Sequence, residues 1–276
     1  MAKLLEGRII AEQIKSLLKE RIKSSKLKLD SIQVGDNPAS DLYIKAQKKL
    51  ALDLGIEYEL HNLPKETSHD KLIVFINQLN LNKAVNGIIV QMPLPLHIDY
   101  KDISRYILPE KDVEGMHPVN LGKIFFGKPK ILPCTPAAVI ELLNSLGGFL
   151  QGKEIVIIGH SEIVGKPLSL LLMDKLATVC VCHIGTSKAG KLEEHVRRAD
   201  ILVTSVGKAN LIKGEWVKEK AIVIDVGINK VGDKIVGDVE FEEAAKRASW
   251  ITPVPGGVGP LTVIMLMRNL VEAAGL

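Results

Sequence analysis

Aromatic side chains make up only 4% of the 276 residues. That is too few to interleave with basic groups into a stacking surface for single-stranded nucleic acid. Cysteine is scarce as well: Cys134, Cys180 and Cys182 cannot all pair, so no disulfide framework organises the fold. No continuous apolar run approaches the ~18 residues of a membrane span. The opening MAKLLEGRII interrupts its apolar residues with Lys3, Glu6 and Arg8, unlike a signal peptide, and the cytoplasm is the expected address. Charge is not one-sided either. The formal net charge of +4 is mild for this length, and Lys15, Lys19, Arg21 and Lys23 read as a solvated helix face.

What is present is a steady alternation of strand-like and helix-like segments, with 46% hydrophobic residues to fill a core. This predicts an α/β architecture long enough for two domains. A first helix is expected from Ile9 to Ser24, followed by the strand KLDSIQVG. Ser40 reads as the N-cap of a helix that Gly55 ends as a C′ residue. IEYELHNL and VNGIIVQMPL read as further strands around the helix SHDKLIVFINQLN. A Gly- and Pro-rich passage, LPEKDVEGMHPVNLGKIFFGKPKILPCTP, is expected to be irregular and to line a site. From Ala137 a helix leads into KEIVIIG, ATVCVCH, ADILVTSVG and AIVIDVGIN, near-continuous β-branched runs of the kind a parallel sheet buries on both faces. ITPVPGGVGPLTVIMLMRNLVEAAGL closes the chain with a constrained loop and an apolar helix. Cys180 and Cys182 lie in an alternating strand beside His183. That spacing is a poor zinc pattern, so they read as buried strand cysteines and no metal is expected.

Two stretches carry chemistry. In VIIGHSEIVGKP a glycine ends a strand and a helix is expected to start near Val164, offering its free N–H groups to a pyrophosphate. The spacing is not the general dinucleotide fingerprint, because Ser161 stands where a second glycine would and Gly165 follows Gly159 by six. In TPVPGGVGPLT, three prolines stiffen a loop whose Gly256, Gly257 and Gly259 let a planar ligand approach the main chain.

PGGVGPLT, GIIVQMPLP, KDVEG, GHSEIVGKP, ASDLYI and IDVGIN resemble, in order and spacing, the signature segments of the methylenetetrahydrofolate dehydrogenase/cyclohydrolase family. The resemblance spans essentially the whole chain. It implies an N-terminal α/β catalytic domain (residues 1–136, completed by 260–276) and a Rossmann-type domain (137–259), with folate in the cleft between. NADP is the implied cofactor with NAD possible, and tetrahydrofolate the carrier of the substrate. A cytoplasmic homodimer is implied, without a nucleic-acid or membrane partner. Carried over residue by residue, Tyr43 lies against the substrate and Gln91 in the folate pocket, with Pro93 and Leu94 in the same turn. Glu114 stands where the family has an aspartate that grips the pterin, and Pro255, Gly256 and Gly257 complete the substrate contacts. Gly159, His160, Ser161, Ile163, Val164, Gly165, Gly207, Ile228 and Gly259 are implied cofactor contacts. His160 and Ile184 replace an arginine and a serine that commonly meet the ribose phosphate.

One departure concerns chemistry. Four residues after the tyrosine the family has a lysine that assists proton movement during hydrolysis, and this chain has Gln47. An amide does not titrate. Hydride transfer needs chiefly placement, whereas hydrolysis of the methenyl product needs a group that exchanges protons. The expectation is a dehydrogenase with cyclohydrolase activity weak or absent. The alternatives are a bifunctional enzyme rescued by Lys48 or Lys45, and a non-catalytic binder of folate and nucleotide.

Overall fold

The computed structural model describes residues 1–23 and 25–276, with Ala39 by its main chain only. The chain runs β1 (Lys3–Leu4), α1 (Gly7–Ile22), β2 (Lys28–Val34), α2 (Pro38–Leu54), β3 (Glu57–Leu63), α3 (His69–Leu81), β4 (Gly87–Val90), α4 (Tyr100–Ile103), α5 (Pro118–Phe125) and α6 (Cys134–Ser145). It continues through β5 (Glu154–Ile158), α7 (Gly165–Met173), β6 (Thr178–Cys182), α8 (Ile184–Lys188), α9 (Leu192–Arg198), β7 (Ile201–Thr204) and β8 (Ile222–Asp225). The last elements are β9 (Asn229–Val231), β10 (Lys234–Val236), α10 (Phe241–Arg247), β11 (Trp250–Ile251) and α11 (Val258–Ala273). Two compact units result: residues 1–12 with 135–262, and residues 13–134 with 263–276.

The second of these units holds a three-stranded parallel sheet in the order β3-β2-β4. Strand β4 is a short β-branched run, and Ile32, Ile88 and Val90 pack with Leu72 and Ile76 of α3 into one apolar cluster. Helix α2 follows the rule for a half-buried helix. Ser40, Ile44, Gln47, Ala51 and Leu54 are buried at alternating spacings of four and three, while Lys45, Lys48 and Lys49 are exposed. A glutamine therefore occupies the middle of a buried stripe.

The other unit carries a six-stranded parallel sheet, β1-β11-β8-β7-β5-β6. The order steps outward from β5 in both directions, so the loops after β5 and β7 diverge at the sheet's carboxyl edge, where doubly wound folds bind ligands. Residues 1–12, grouped by the sequence with 13–136, enter this unit through the pairing of β1 with β11.

Several local expectations need correction. Ser40 is not the N-cap of α2. The helix begins at Pro38, whose fixed φ suits a first turn, and the Ser40 hydroxyl instead donates to the Asn37 carbonyl. Gly55 does end it, at φ +72°. The passage after Leu108 is not wholly irregular, because His117 Nδ1 accepts the Val119 N–H and starts α5 with Pro118 in the first turn. Helix α6 begins at Cys134, three residues before Ala137. The first helix opens at Gly7, and its expected end at Ser24 lies outside the described residues. The antiparallel β9–β10 hairpin was not anticipated.

Candidate active site

In the unit built on β2, β3 and β4, four of the expected residues meet. Tyr43 and Gln47 lie one turn apart on α2, Gln91 follows β4, and Glu114 follows the buried Asp112. Gln47 is fully buried, and its Oε1 accepts from the Tyr58 hydroxyl (3.0 Å) and from Gln91 Nε2 (2.8 Å). Gln91 Nε2 also donates to Ser31 Oγ at 2.9 Å. Both amides are thereby fixed in orientation by a chain of donors running from strand to helix. Gln47 Nε2 has no hydrogen-bond partner. A buried, unpaired donor costs about 1–3 kcal/mol, and such a group marks a place where a ligand acceptor restores the balance.

Around it the chemistry is strongly shifted by burial. Burial pushes the Tyr43 hydroxyl well above its ordinary value, reinforced by the neighbouring Cys134 and Glu114 and opposed by the Gln47 amide one turn on, so it stays a neutral donor. Burial also raises Tyr58 to about 12. Glu114 is half-buried and accepts from the Tyr100 hydroxyl at 3.0 Å. Removal from water lifts its carboxyl to about 7, the Tyr100 hydrogen bond opposing the shift and Asp112 adding to it. Cys134 Sγ points at the Val113 carbonyl, and its thiol is driven well up by burial and Glu114. Asp112 shapes the turn: its Oδ2 accepts from the His117 N–H and from Asn120 Nδ2, both at 2.8 Å. Pro93, after a cis Met92–Pro93 bond, is exposed and Leu94 half-buried. Ser31, Tyr58 and Tyr100 escaped the sequence reading, since nothing local marks a strand tyrosine as the partner of a helix amide.

The other unit supplies a main-chain site. Gly159 ends β5 at φ +119°, and a Cβ there would stand 2.6 Å from the Ser205 carbonyl oxygen. A Cβ on Gly165 would overlap the Gly159 carbonyl, so the turn closes backbone on backbone. Ser161, in place of the fingerprint's second glycine, accepts the Val164 N–H on its hydroxyl (3.1 Å) and holds the entry to α7. His160 and His183 lie with ring centroids 5.0 Å apart beside this turn. Ile163 and Ile228 are exposed apolar residues, while Gly207 (φ +72°) and Gly259 have open space where a side chain would be. Pro255, after a cis bond to Val254, is exposed, Gly256 half-buried and Gly257 buried, with the Gly256 carbonyl accepting the Gly7 N–H.

Asp225, at the end of β8, satisfies buried backbone. It accepts from Thr204 Oγ1 and from the N–H groups of Gly227, Asp238 and Val239, and burial raises its carboxyl to about 6. Asp238 was missed. It is fully buried and receives the consecutive N–H groups of Val206, Gly207 and Lys208 together with Asn229 Nδ2.

Residues 5–114 match the family described as "Tetrahydrofolate dehydrogenase/cyclohydrolase, catalytic domain", and residues 133–276 its "NAD(P)-binding domain". The chain is 46% identical to "Bifunctional protein FolD" of Bacillus pumilus over 99% of its own length and 98% of the relative's. A crystal structure of "Bifunctional Enzyme FolD-Methylenetetrahydrofolate Dehydrogenase/Cyclohydrolase" from Campylobacter jejuni is similar with TM-score 0.95 at 44% identity, covering 100% of this chain and 99% of that one. The Trypanosoma brucei FolD, solved "complexed with NADP cofactor and inhibitor", gives TM-score 0.93 at 38% identity, covering 99% of this chain and 97% of that one. With both domains matched and near-complete coverage at this identity, the chain belongs to the tetrahydrofolate dehydrogenase/cyclohydrolase family.

Proposed function

We propose that this chain oxidises 5,10-methylenetetrahydrofolate to the methenyl form with NADP as hydride acceptor, and that it hydrolyses the methenyl product weakly or not at all. The observation that carries the second half is the state of Gln47. Its acceptor atom is engaged by Tyr58 and Gln91, so all it offers a ligand is an N–H that does not titrate. Lys45 and Lys48, the candidates for rescue, sit on the exposed face of α2, and the buried stripe leaves no room to rotate the helix without burying a lysine in exchange for Ala51 or Ile44.

The residues divide the work by what each can donate. Gln47 Nε2 and the neutral Tyr43 hydroxyl are placed to hold polar atoms of the one-carbon bridge, and Glu114, steadied by Tyr100, grips the pterin ring. Pro93 and Leu94 flank that pocket, and Pro255, Gly256 and Gly257 supply further main-chain contacts to the substrate. The turn Gly159–Gly165 fits a dinucleotide, since its glycines let the strand end and the helix start pack main chain on main chain and Ser161 fixes the start of α7, whose N-terminus suits a pyrophosphate. When bound, the nicotinamide supplies the hydride-accepting carbon. Gly207, Ile228 and Gly259 flank its end of the cofactor. His160, stacked near His183 beside this turn, offers ring nitrogens to a ribose phosphate, which favours NADP over NAD. The family resemblance assigns 1–136 with 260–276 to folate and 137–259 to the nucleotide, whereas the compact units place 1–12, 135–136 and 260–262 with the nucleotide part. A cytoplasmic homodimer is carried over from the family resemblance, and light scattering tests the dimer.

The test is a paired assay on one preparation. Nucleotide reduction with methylenetetrahydrofolate should saturate with both substrates and prefer NADP in kcat/KM. Decay of methenyltetrahydrofolate at neutral pH should be no faster with enzyme than without, and a clear acceleration overturns the loss of hydrolysis. A protein that binds both ligands yet reduces no nucleotide would be the non-catalytic binder instead.

A further inference from the structure

Three soft ligand atoms converge at a place that the folate and nucleotide chemistry does not use. Cys180 and Cys182 are two apart on β6, so their side chains leave the same face of the sheet. Helix α9 covers that face through the buried Leu192 and Val196, and carries His195 over the strand. His195 Nδ1 lies 3.4 Å from Cys180 Sγ, and the two sulfurs and the imidazole nitrogen are all within 4.8 Å of one another. The third partner is thus His195, thirteen residues beyond Cys182, and not His183, which turns away to cap α8.

We propose that Cys180, Cys182 and His195 form a site for a single thiophilic d10 cation such as Zn2+, with water completing its coordination. Two thiolates, one imidazole and an open position make an established zinc donor set. Zinc–sulfur bonds of ~2.3 Å in a tetrahedron put the sulfurs ~3.8 Å apart, so the ligand atoms need draw together by no more than about 1 Å, within reach of side-chain rotation. β6 is the outermost strand of its sheet, and Cys180 and His195 are half-buried, which leaves solvent a way in. Cys182 is buried, so the inner side of the site is dry. No hard carboxylate shares the cluster, which selects against magnesium and calcium. Charge is compatible too: a divalent ion with two thiolates is neutral, and the nearby Arg198 favours the thiolate of Cys182. Only the thiolates bind the ion, so loading must expel protons.

The test uses the full-length protein, reduced and stripped of metal with a chelator. One equivalent of Co2+ should produce a thiolate-to-cobalt charge-transfer band with release of close to two protons per chain at neutral pH, and Zn2+ should bleach it with no further proton release. Cys180→Ser and His195→Ala, both at half-buried positions, should each weaken Zn2+ by more than ~100-fold, beyond what loss of an outer partner does, with circular dichroism unchanged. Failure to bind one equivalent, or a band that survives in Cys180→Ser/Cys182→Ser, overturns the proposal. Retention of Zn2+ affinity in His195→Ala also overturns it, reducing the contact to an ordinary thiol–imidazole hydrogen bond. None of these readouts depends on folate or nucleotide turnover.

Discussion

The two units build their candidate sites from different materials. Around Gly159 and Gly165 the walls are main chain, with carbonyls packed where Cβ atoms would go and a serine hydroxyl fixing the turn. Around Gln47 the walls are side chains held to one another by hydrogen bonds, with Tyr58, Gln91 and Ser31 linking β3, the end of β4 and β2 to helix α2. A main-chain site is sensitive to volume and indifferent to most chemistry. A side-chain site tolerates equal volumes and changes its chemistry with one residue. That contrast gives the altered half-reaction proposed above a physical basis within a whole-chain family match.

Gln47→Lys attacks the contrast where it is steepest. A titratable group at the centre of the α2 stripe should raise methenyltetrahydrofolate hydrolysis by ~10²–10⁴-fold, read as product decay, while nucleotide reduction changes far less. If hydrolysis does not move, the side-chain pocket is not what limits it. Gly165→Ala tests the other unit, where a single methyl overlaps the Gly159 carbonyl. Destabilisation of about 1–3 kcal/mol is expected from forced repacking, together with a rise in KM for the nucleotide. A melt and a nucleotide titration check both.

Glu114→Gln gives a smaller effect with a defined pH signature. The Glu114 carboxyl is raised from its ordinary 4.5 to about 7 by burial. The folded chain therefore keeps a proton that the unfolded chain has lost. The resulting stability is fully present below pH 4.5 and is lost as pH rises through about 7. The amide removes this dependence, so the variant should gain on the parent between pH 5 and 8 by roughly 1–2 kcal/mol, allowing for the residue's partial exposure. Denaturant midpoints across that range decide it, and a constant difference would mean that Glu114 does not titrate as argued. Least of all should happen in Lys48→Ala, an exposed residue on the far face of α2. Oxidation should stay within error, and any large loss would restore the lysine-rescue reading.

Periodicity made the sheets legible, because β-branched runs buried on both faces have no other use. The expected strands KEIVIIG, ATVCVCH, ADILVTSVG and AIVIDVGIN contain β5 to β8. Tyr43 and Gln47 also share a face, as the helical spacing requires. What stayed hidden was non-local. The pairing of Gln47 with Tyr58 joins residues on two elements, and Asp238 is partnered mainly by main-chain groups about thirty residues upstream. Neither leaves a mark in the residue pattern. Ser40 misled for a local reason, since a serine before an apolar stripe reads as a cap unless the proline two places earlier is given precedence.

Asp238 follows directly on the β9–β10 hairpin and receives three successive amides from the segment after β7. The position of Gly207 is thus held from the base of that ribbon, where Asn229 Nδ2 also meets Asp238. Replacing the Asp238 carboxylate would strip three successive amides of their shared acceptor and release the loop that carries Gly207, so one buried acid holds that loop's shape.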